Sequence, residues 1–406
     1  MMYQMYQAQC DAMSPLRLAS SFARASLGST DPASRLQNLF TRNASAGYEM
    51  IARGGLTHTR PPFGIDTVTA AGEAVAVTEE IADRTPFATL LHFVKDPAAV
   101  QPRVLIVAPL SGHFSTLLRG TVRTMLADHD VYLTDWHNAR DVPARAGAFG
   151  VDGYVEHVIR FLEKMGPGGH VVAVCQPAVA VLAAVAVMAE GGDAAIPRSM
   201  TLMAGPIDTR ANPTAVNELA KSKPIEWFER TLIDRVPCRF AGAGRRVYPG
   251  FLQVTAFLNM NLDRHIAAHR DMFRNLVDGE VEKAAATRTF YDEYFAVLDL
   301  AAEFYLETVK TVFQDHALPL GRMTYRGRRV NPAAIKRTAL LTVEGERDDI
   351  CGIGQTMAAQ ELCSGIKPYR KRHHLQAGVG HYGVFNGKRW DAQIYPVVRN
   401  VILANE

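Results

Sequence analysis

The stretch His170-Val171-Val172-Ala173-Val174-Cys175-Gln176-Pro177 governs the reading of the whole chain. Val171 to Val174 is a short, β-branched apolar run, which suits a strand buried on both faces. From Pro177 onward the composition turns Ala-rich, and proline suits a first helical turn, where its missing N–H costs nothing. The spacing predicts a strand, a sharp turn and a helix, with Cys175 on the turn. Val171 to Ala189 approaches the length of a bilayer span, but Gln176 and Pro177 divide it, so a buried strand-turn-helix is expected instead of a transmembrane segment.

Outward from this unit the same alternation repeats. Val104 to Ala108, Val131 to Thr134 and Met200 to Met203 are further short apolar runs separated by helix-like segments, and the pattern resumes at Thr338 to Val343 and near His373 to Leu375. Such alternation predicts an α/β fold with a mostly parallel central sheet and helices on both faces. Thr67 to Val94 reads as an opening antiparallel pair, and residues 1–60 as an irregular, partly helical arm. After Pro206 the alternation stops, and residues 208–331 carry aromatic-rich helical patterns that include Trp227, Phe251 and Tyr294. This predicts an inserted helical cap between core segments 61–207 and 332–406, with later helices over Gln355 to Leu362 and Trp390 to Leu403. No repeat or low-complexity tract interrupts the chain.

Composition excludes several classes of partner. Among 406 residues, 44 basic and 41 acidic side chains leave a formal charge of +3, so the total calls for no nucleic-acid partner. The basic clusters Gly321 to Arg329 and Lys367 to Arg372 read as solvated faces, with attraction to an anionic surface as the alternative. Five cysteines (Cys10, Cys175, Cys238, Cys351, Cys363) form an odd set without C-x-x-C spacing, which speaks against a disulfide framework and a structural metal site. No metal or cofactor is expected, and a reducing, cytoplasmic setting fits. Met1 to Leu27 lacks the continuous apolar core of a signal peptide, so no export is expected.

The turn that carries Cys175 is where a nucleophile elbow belongs. It lifts the side chain over the sheet, sets the sulfur near the positive end of a helix and offers the Gln176 N–H as half of an oxyanion hole. Ala173 and Pro177 replace both glycines of the usual G-x-S-x-G pattern, and cysteine replaces serine. An acidic loop, Glu344-Gly345-Glu346-Arg347-Asp348-Asp349-Ile350, follows the resumed strand, and Gly378-Val379-Gly380-His381-Tyr382-Gly383 follows the next. Nucleophile, acid, histidine is the chain order of the α/β-hydrolases. His381 is then the general base and Asp348 its orienting acid, preferred over Asp349 because it stands two residues before the aliphatic Ile350. The second oxyanion donor is sought in Pro109 to Phe114, with Ser111 and Gly112 as candidates and His113 as a possible wall residue.

With these motifs in view, the sequence resembles the intracellular poly(3-hydroxybutyrate) depolymerases, a family related to polyhydroxyalkanoate synthases that uses Cys, Asp and His in place of the lipase-box serine. The matching stretches are Leu133-Thr134-Asp135-Trp136-His137, Val172 to Pro177, Met203 to Arg210, Glu344 to Ile350 and Gly380-His381-Tyr382-Gly383. The resemblance implies an α/β-hydrolase fold, with Cys175 as nucleophile, Asp348 as acid and His381 as base. It also implies a storage polyester or its granule surface as partner, a covalent acyl-cysteine, and water or CoA as acceptor. Trp227, Phe251 and Tyr294 are candidate apolar walls for the polymer. A polyhydroxyalkanoate synthase and a non-catalytic granule-coat protein are the competing readings, the first opposed by the glycine-free Cys-Gln-Pro elbow.

Overall fold

A computed structural model of the chain describes residues 2–27, 35–98, 100–260 and 262–406. Its centre is a nine-stranded sheet. In chain order the strands are β1 (Thr67–Ala70), β2 (Glu73–Arg84), β3 (Ala88–Asp96), β4 (Arg103–Val107), β5 (Asp130–Trp136), β6 (His170–Val174), β7 (Ser199–Met203), β8 (Ala339–Gly345) and β9 (Lys371–Gln376). They lie side by side as β1-β2-β3-β5-β4-β6-β7-β8-β9. From β5 to β9 all neighbours run parallel, and β1, β2 and β3 form an antiparallel edge. The expected opening pair is therefore a three-stranded meander. This is an α/β-hydrolase fold with inserted helical segments.

All five residues of β6 and of β7 are buried, as parallel strands covered on both faces must be. The helices that cover them include α3 (Arg119–Leu126), α4 (Val151–Met165) and α5 (Pro177–Gly191). α5 is apolar all round and buries Pro177 to Ala186 without a break, which marks a helix enclosed in the core. No helix among the described residues is long and apolar enough to cross a membrane.

Three regions differ from the sequence expectation. The N-terminal arm, expected to be irregular and only partly helical, holds two long helices, α1 (Met2–Leu27) and α2 (Arg35–Arg53). Their order is tertiary: the Tyr3 ring is wholly buried, and its hydroxyl donates to Asp299 at 2.6 Å. Residues 208–331 hold α6 (Ala215–Ser222), α7 (Ile225–Leu232), α8 (Gly250–Met260), α9 (Leu262–Asp278), α10 (Val281–Tyr294) and α11 (Ala302–Thr308). They also contain a three-stranded antiparallel sheet of Asp234–Arg235, Arg246–Tyr248 and Leu300–Ala301, and a two-stranded one of Thr324–Tyr325 and Arg328–Arg329. Finally, the helix expected from Gln355 begins only at Ala359. The buried Glu344 carboxylate accepts the N–H groups of Gly354, Thr356 and Met357, which holds that stretch in turns.

Candidate active site

Cys175 occupies the turn between β6 and α5 in a left-handed conformation, φ 68°. A non-glycine residue pays about 1–3 kcal/mol to stay there, so the surroundings must enforce it. They do so from both sides. The Cys175 N–H donates to the Met203 carbonyl of β7 at 2.7 Å, and its own carbonyl accepts from Ala178 N–H at 3.1 Å. Beside the turn, Gly205 leaves space that a side chain would fill: a Cβ there would lie 2.1 Å from Ala178 Cβ and 2.9 Å from the Cys175 carbonyl oxygen. The elbow lacks its own glycines because the glycine stands on the neighbouring strand's loop. That close approach was invisible in the sequence.

His381 and Asp348 meet behind the sulfur. His381 Nδ1 donates to Asp348 Oδ2 at 2.8 Å, and the Cys175 sulfur is close enough to act electrostatically on the ring. The second Asp348 oxygen accepts from Ile350 N–H (2.9 Å) and Cys351 N–H (2.8 Å), and its side chain is fully buried. Burial of the imidazole disfavours its charged form, yet the Cys175 sulfur and the Asp348 carboxylate outweigh this and hold His381 well above the usual histidine range. A ring of raised proton affinity beside a sulfur is suited to take the thiol proton, and the thiolate left behind is the nucleophilic form of cysteine.

The loop after β4 lies next to the elbow. Gln176 turns its side chain toward it, and its Oε1 accepts the Leu110 N–H at 3.3 Å. Gly112 has φ 97°, and a Cβ there would come within 2.6 Å of Gln253 on α8. Its carbonyl accepts from Leu298 N–H at 2.9 Å. His113 is buried, donates from Nε2 to the Tyr294 carbonyl at 3.2 Å and stacks on Phe257. Residues 208–331 thus pack directly on the loop that carries Ser111 and Gly112.

Of the three aromatic candidates, Tyr294 is the one whose apolar cluster includes a neighbour of His381. It shares an apolar cluster with Val254, Tyr291 and Val297, against which Tyr382, the neighbour of His381, packs. Burial pushes the Tyr382 hydroxyl up, with Tyr294 and Cys175 adding to it. Phe251 instead stacks on Tyr6 of α1 at 4.0 Å, and Trp227 packs edge-on against Phe228 under Lys223. Sequence reasoning also passed over Glu344. Its signal was an acid closing an apolar strand.

Two other polar pairs carry serine. Ser199 Oγ and His170 Nδ1 lie 2.7 Å apart, with Glu406 on the other ring nitrogen. Both residues start their strands, roughly 16 Å of strand away from the Cys175 end, whereas ligands of such sheets bind beyond the carboxyl ends. Ser115 donates to Asp135 at 2.5 Å, but the other Asp135 oxygen is held by Arg60. No cluster of metal-ligating side chains occurs among the described residues.

Comparison with known proteins adds the family. The one described as "PHB de-polymerase C-terminus" matches residues 204–406, half of the chain. The chain belongs to this family. Membership makes it an esterase-type hydrolase, and the matched half contains Asp348 and His381 but not Cys175. A search of curated proteins returns no match. Among solved structures the chain is similar to a putative lipase from Acinetobacter baumannii (13% identity, 81% of this chain and 93% of the other, TM-score 0.42). It is also similar to 2-hydroxy-6-oxo-6-phenylhexa-2,4-dienoate hydrolase from a Rhodococcus species (12% identity, 81% and 99%, TM-score 0.44). At that level of likeness neither structure bears on the reaction.

Proposed function

We propose that this depolymerase-family chain hydrolyses the ester bonds of intracellular poly(3-hydroxybutyrate) through Cys175, His381 and Asp348. The observation that carries this reading is the hydrogen bond from His381 to the buried Asp348 side chain, with the ring under the electrostatic influence of the Cys175 sulfur. It lies at the carboxyl end of the sheet, on a turn strained to present one side chain.

In the reaction His381 takes the thiol proton as the sulfur attacks the ester carbonyl. The oxyanion develops beside the Gln176 N–H and the Ser111–Gly112 loop, where each good donor contributes about 3 kcal/mol. The C–O bond breaks, the polymer leaves as an alcohol with the proton from His381, and a thioester remains on Cys175. Water then attacks, His381 takes its proton, and collapse of the second tetrahedral species returns that proton to sulfur and releases the acid. CoA in place of water would release an acyl-CoA. Asp348 holds the imidazole in register throughout. Residues 208–331 act as the cap, with Tyr294 and Tyr382 as apolar wall, and the protein works in the cytoplasm at the granule surface.

The test uses amorphous polymer granules and 3-hydroxybutyryl-CoA. Wild-type protein is expected to release soluble hydroxyacid from granules, Cys175→Ala to release none while keeping its folded circular-dichroism spectrum, and a quenched reaction to show an acyl adduct on Cys175 by mass spectrometry. Polymer growth from the CoA substrate, or turnover surviving Cys175→Ala, would overturn the reading.

A further inference from the structure

Between the N-terminal helices and α9 and α10 lies a cavity of about 590 Å3, within the range of small-molecule sites (roughly 300–1,000 Å3). Four guanidinium groups line it: Arg17 from α1, Arg53 from the end of α2, Arg60 and Arg288. Three of them are matched by carboxylates. Glu49 takes Arg53 at 3.2 Å and Arg288 at 2.7 Å, Asp292 also pairs with Arg53, and Arg60 reaches Glu79 at 2.8 Å and Asp135 at 3.2 Å.

Arg17 is different. Among the described residues it has no carboxylate partner, and its Nη2 reaches only the Gly54 carbonyl, at 3.4 Å. Its head fills the place of a missing side chain, for a Cβ on Gly55 would lie 2.3 Å from Arg17 Cζ and Nη1. Arg17 itself is half-exposed, whereas Arg60 Nη1 is buried without a hydrogen-bond partner. Leu56, Met272, Tyr291 and Phe295 give the wall an apolar side, while Asp292, already paired with Arg53, and His269 also face the cavity. Leu56 and Tyr291 belong to the cluster that also holds Tyr294 and Tyr382, so the cavity backs onto the wall of the active site.

We infer that this cavity binds one carboxylate carried on an apolar acyl chain, with Arg17 as its counter-ion. Resting on the hydrolase reading above, the occupant is the free acid end of a short 3-hydroxyalkanoate oligomer. Ester cleavage creates such an end, and it is ionised at neutral pH. One unmatched guanidinium suits a monoanion, whereas a polyphosphate would call for several.

Calorimetric titration of the full chain carrying Cys175→Ala, which cannot consume the ligand, tests this with 3-hydroxybutyrate trimer, its methyl ester and octanoate. The trimer acid is expected to bind at least tenfold more tightly than the ester, and octanoate to bind as well. Adding Arg17→Gln should abolish the preference for acid, Gly55→Ala should weaken it by displacing the guanidinium, and Arg17→Lys should keep part of it. Equal affinity for acid and ester, no binding of any probe, or a preference that survives Arg17→Gln overturns the inference. Failure of the hydrolase reading shows separately, as intact polymer with wild-type protein while octanoate binding still depends on Arg17.

Discussion

Asp348 and Asp349 are adjacent carboxylates in different circumstances. The Asp348 side chain is fully buried and spends one oxygen on two backbone N–H groups and the other on His381. Asp348→Asn should therefore lower kcat by about 10³- to 10⁴-fold, the scale seen when the orienting acid of a triad is neutralised, with KM little changed. Asp349→Asn should stay within a few-fold of wild type, and equal losses at both positions would contradict the proposal. The same substitution should bring the His381 imidazole down toward the ordinary histidine range, since Asp348 is one of the two groups that raise it. A titration of its ring resonances by NMR reads this directly. The spacing to Ile350 made Asp348 distinguishable in the sequence, because the turn that aims the carboxylate is local. The link from Gln176 to Leu110 crosses 66 positions, and no local pattern records it.

Among the elements, the short apolar runs of β4 to β8 were legible because a strand buried on both faces leaves only apolar residues to read. Gly205 shows the opposite situation: its role arises where β7's loop passes the first turn of α5, two elements that meet only in the folded sheet. Gly205→Ala is expected to cost about 1–3 kcal/mol as an overpacked site and to shift the elbow enough to lower turnover. Urea unfolding and granule hydrolysis measure the two effects. Wild-type stability and rate in this variant would show that the turn relaxes without its glycine neighbour. The helix expected from Gln355 was misjudged at its start for a related reason. Its residues favour helix locally, but Glu344, near the end of β8, captures the N–H groups of Thr356 and Met357 and that of Gly354 just before them.

Across the whole molecule, α1 is joined to the region beyond residue 208 at its first residues. Tyr3 donates its hydroxyl to the wholly buried Asp299 and its N–H to Asp234 at 2.9 Å. Burial pushes the Asp299 carboxyl up to about 6, while the bonds from Tyr3 and Gly250 pull the other way. A folded-state value above the unfolded one, about 3.9, means that this group's contribution to stability is full below about pH 4 and is lost as pH rises through about 6. Tyr3→Phe, which strips a donor from the charged carboxylate, should cost about 1.5–3 kcal/mol at pH 7.5 and less at pH 5. Equal costs at the two pH values, measured by urea unfolding, would contradict this. The sequence could not announce the pairing, since 296 positions separate its partners. The strand order has a consequence for the chain as it is being made. β7 is finished well over a hundred residues before β8, the strand that covers its far edge. At roughly 5–20 residues per second of synthesis, the open edge of a strand that is wholly buried in the finished fold faces the crowded cell for several seconds or longer. Premature termination within residues 208–331 would make that exposure permanent, so such fragments should aggregate or depend on chaperones even though every catalytic distance in the finished protein is sound.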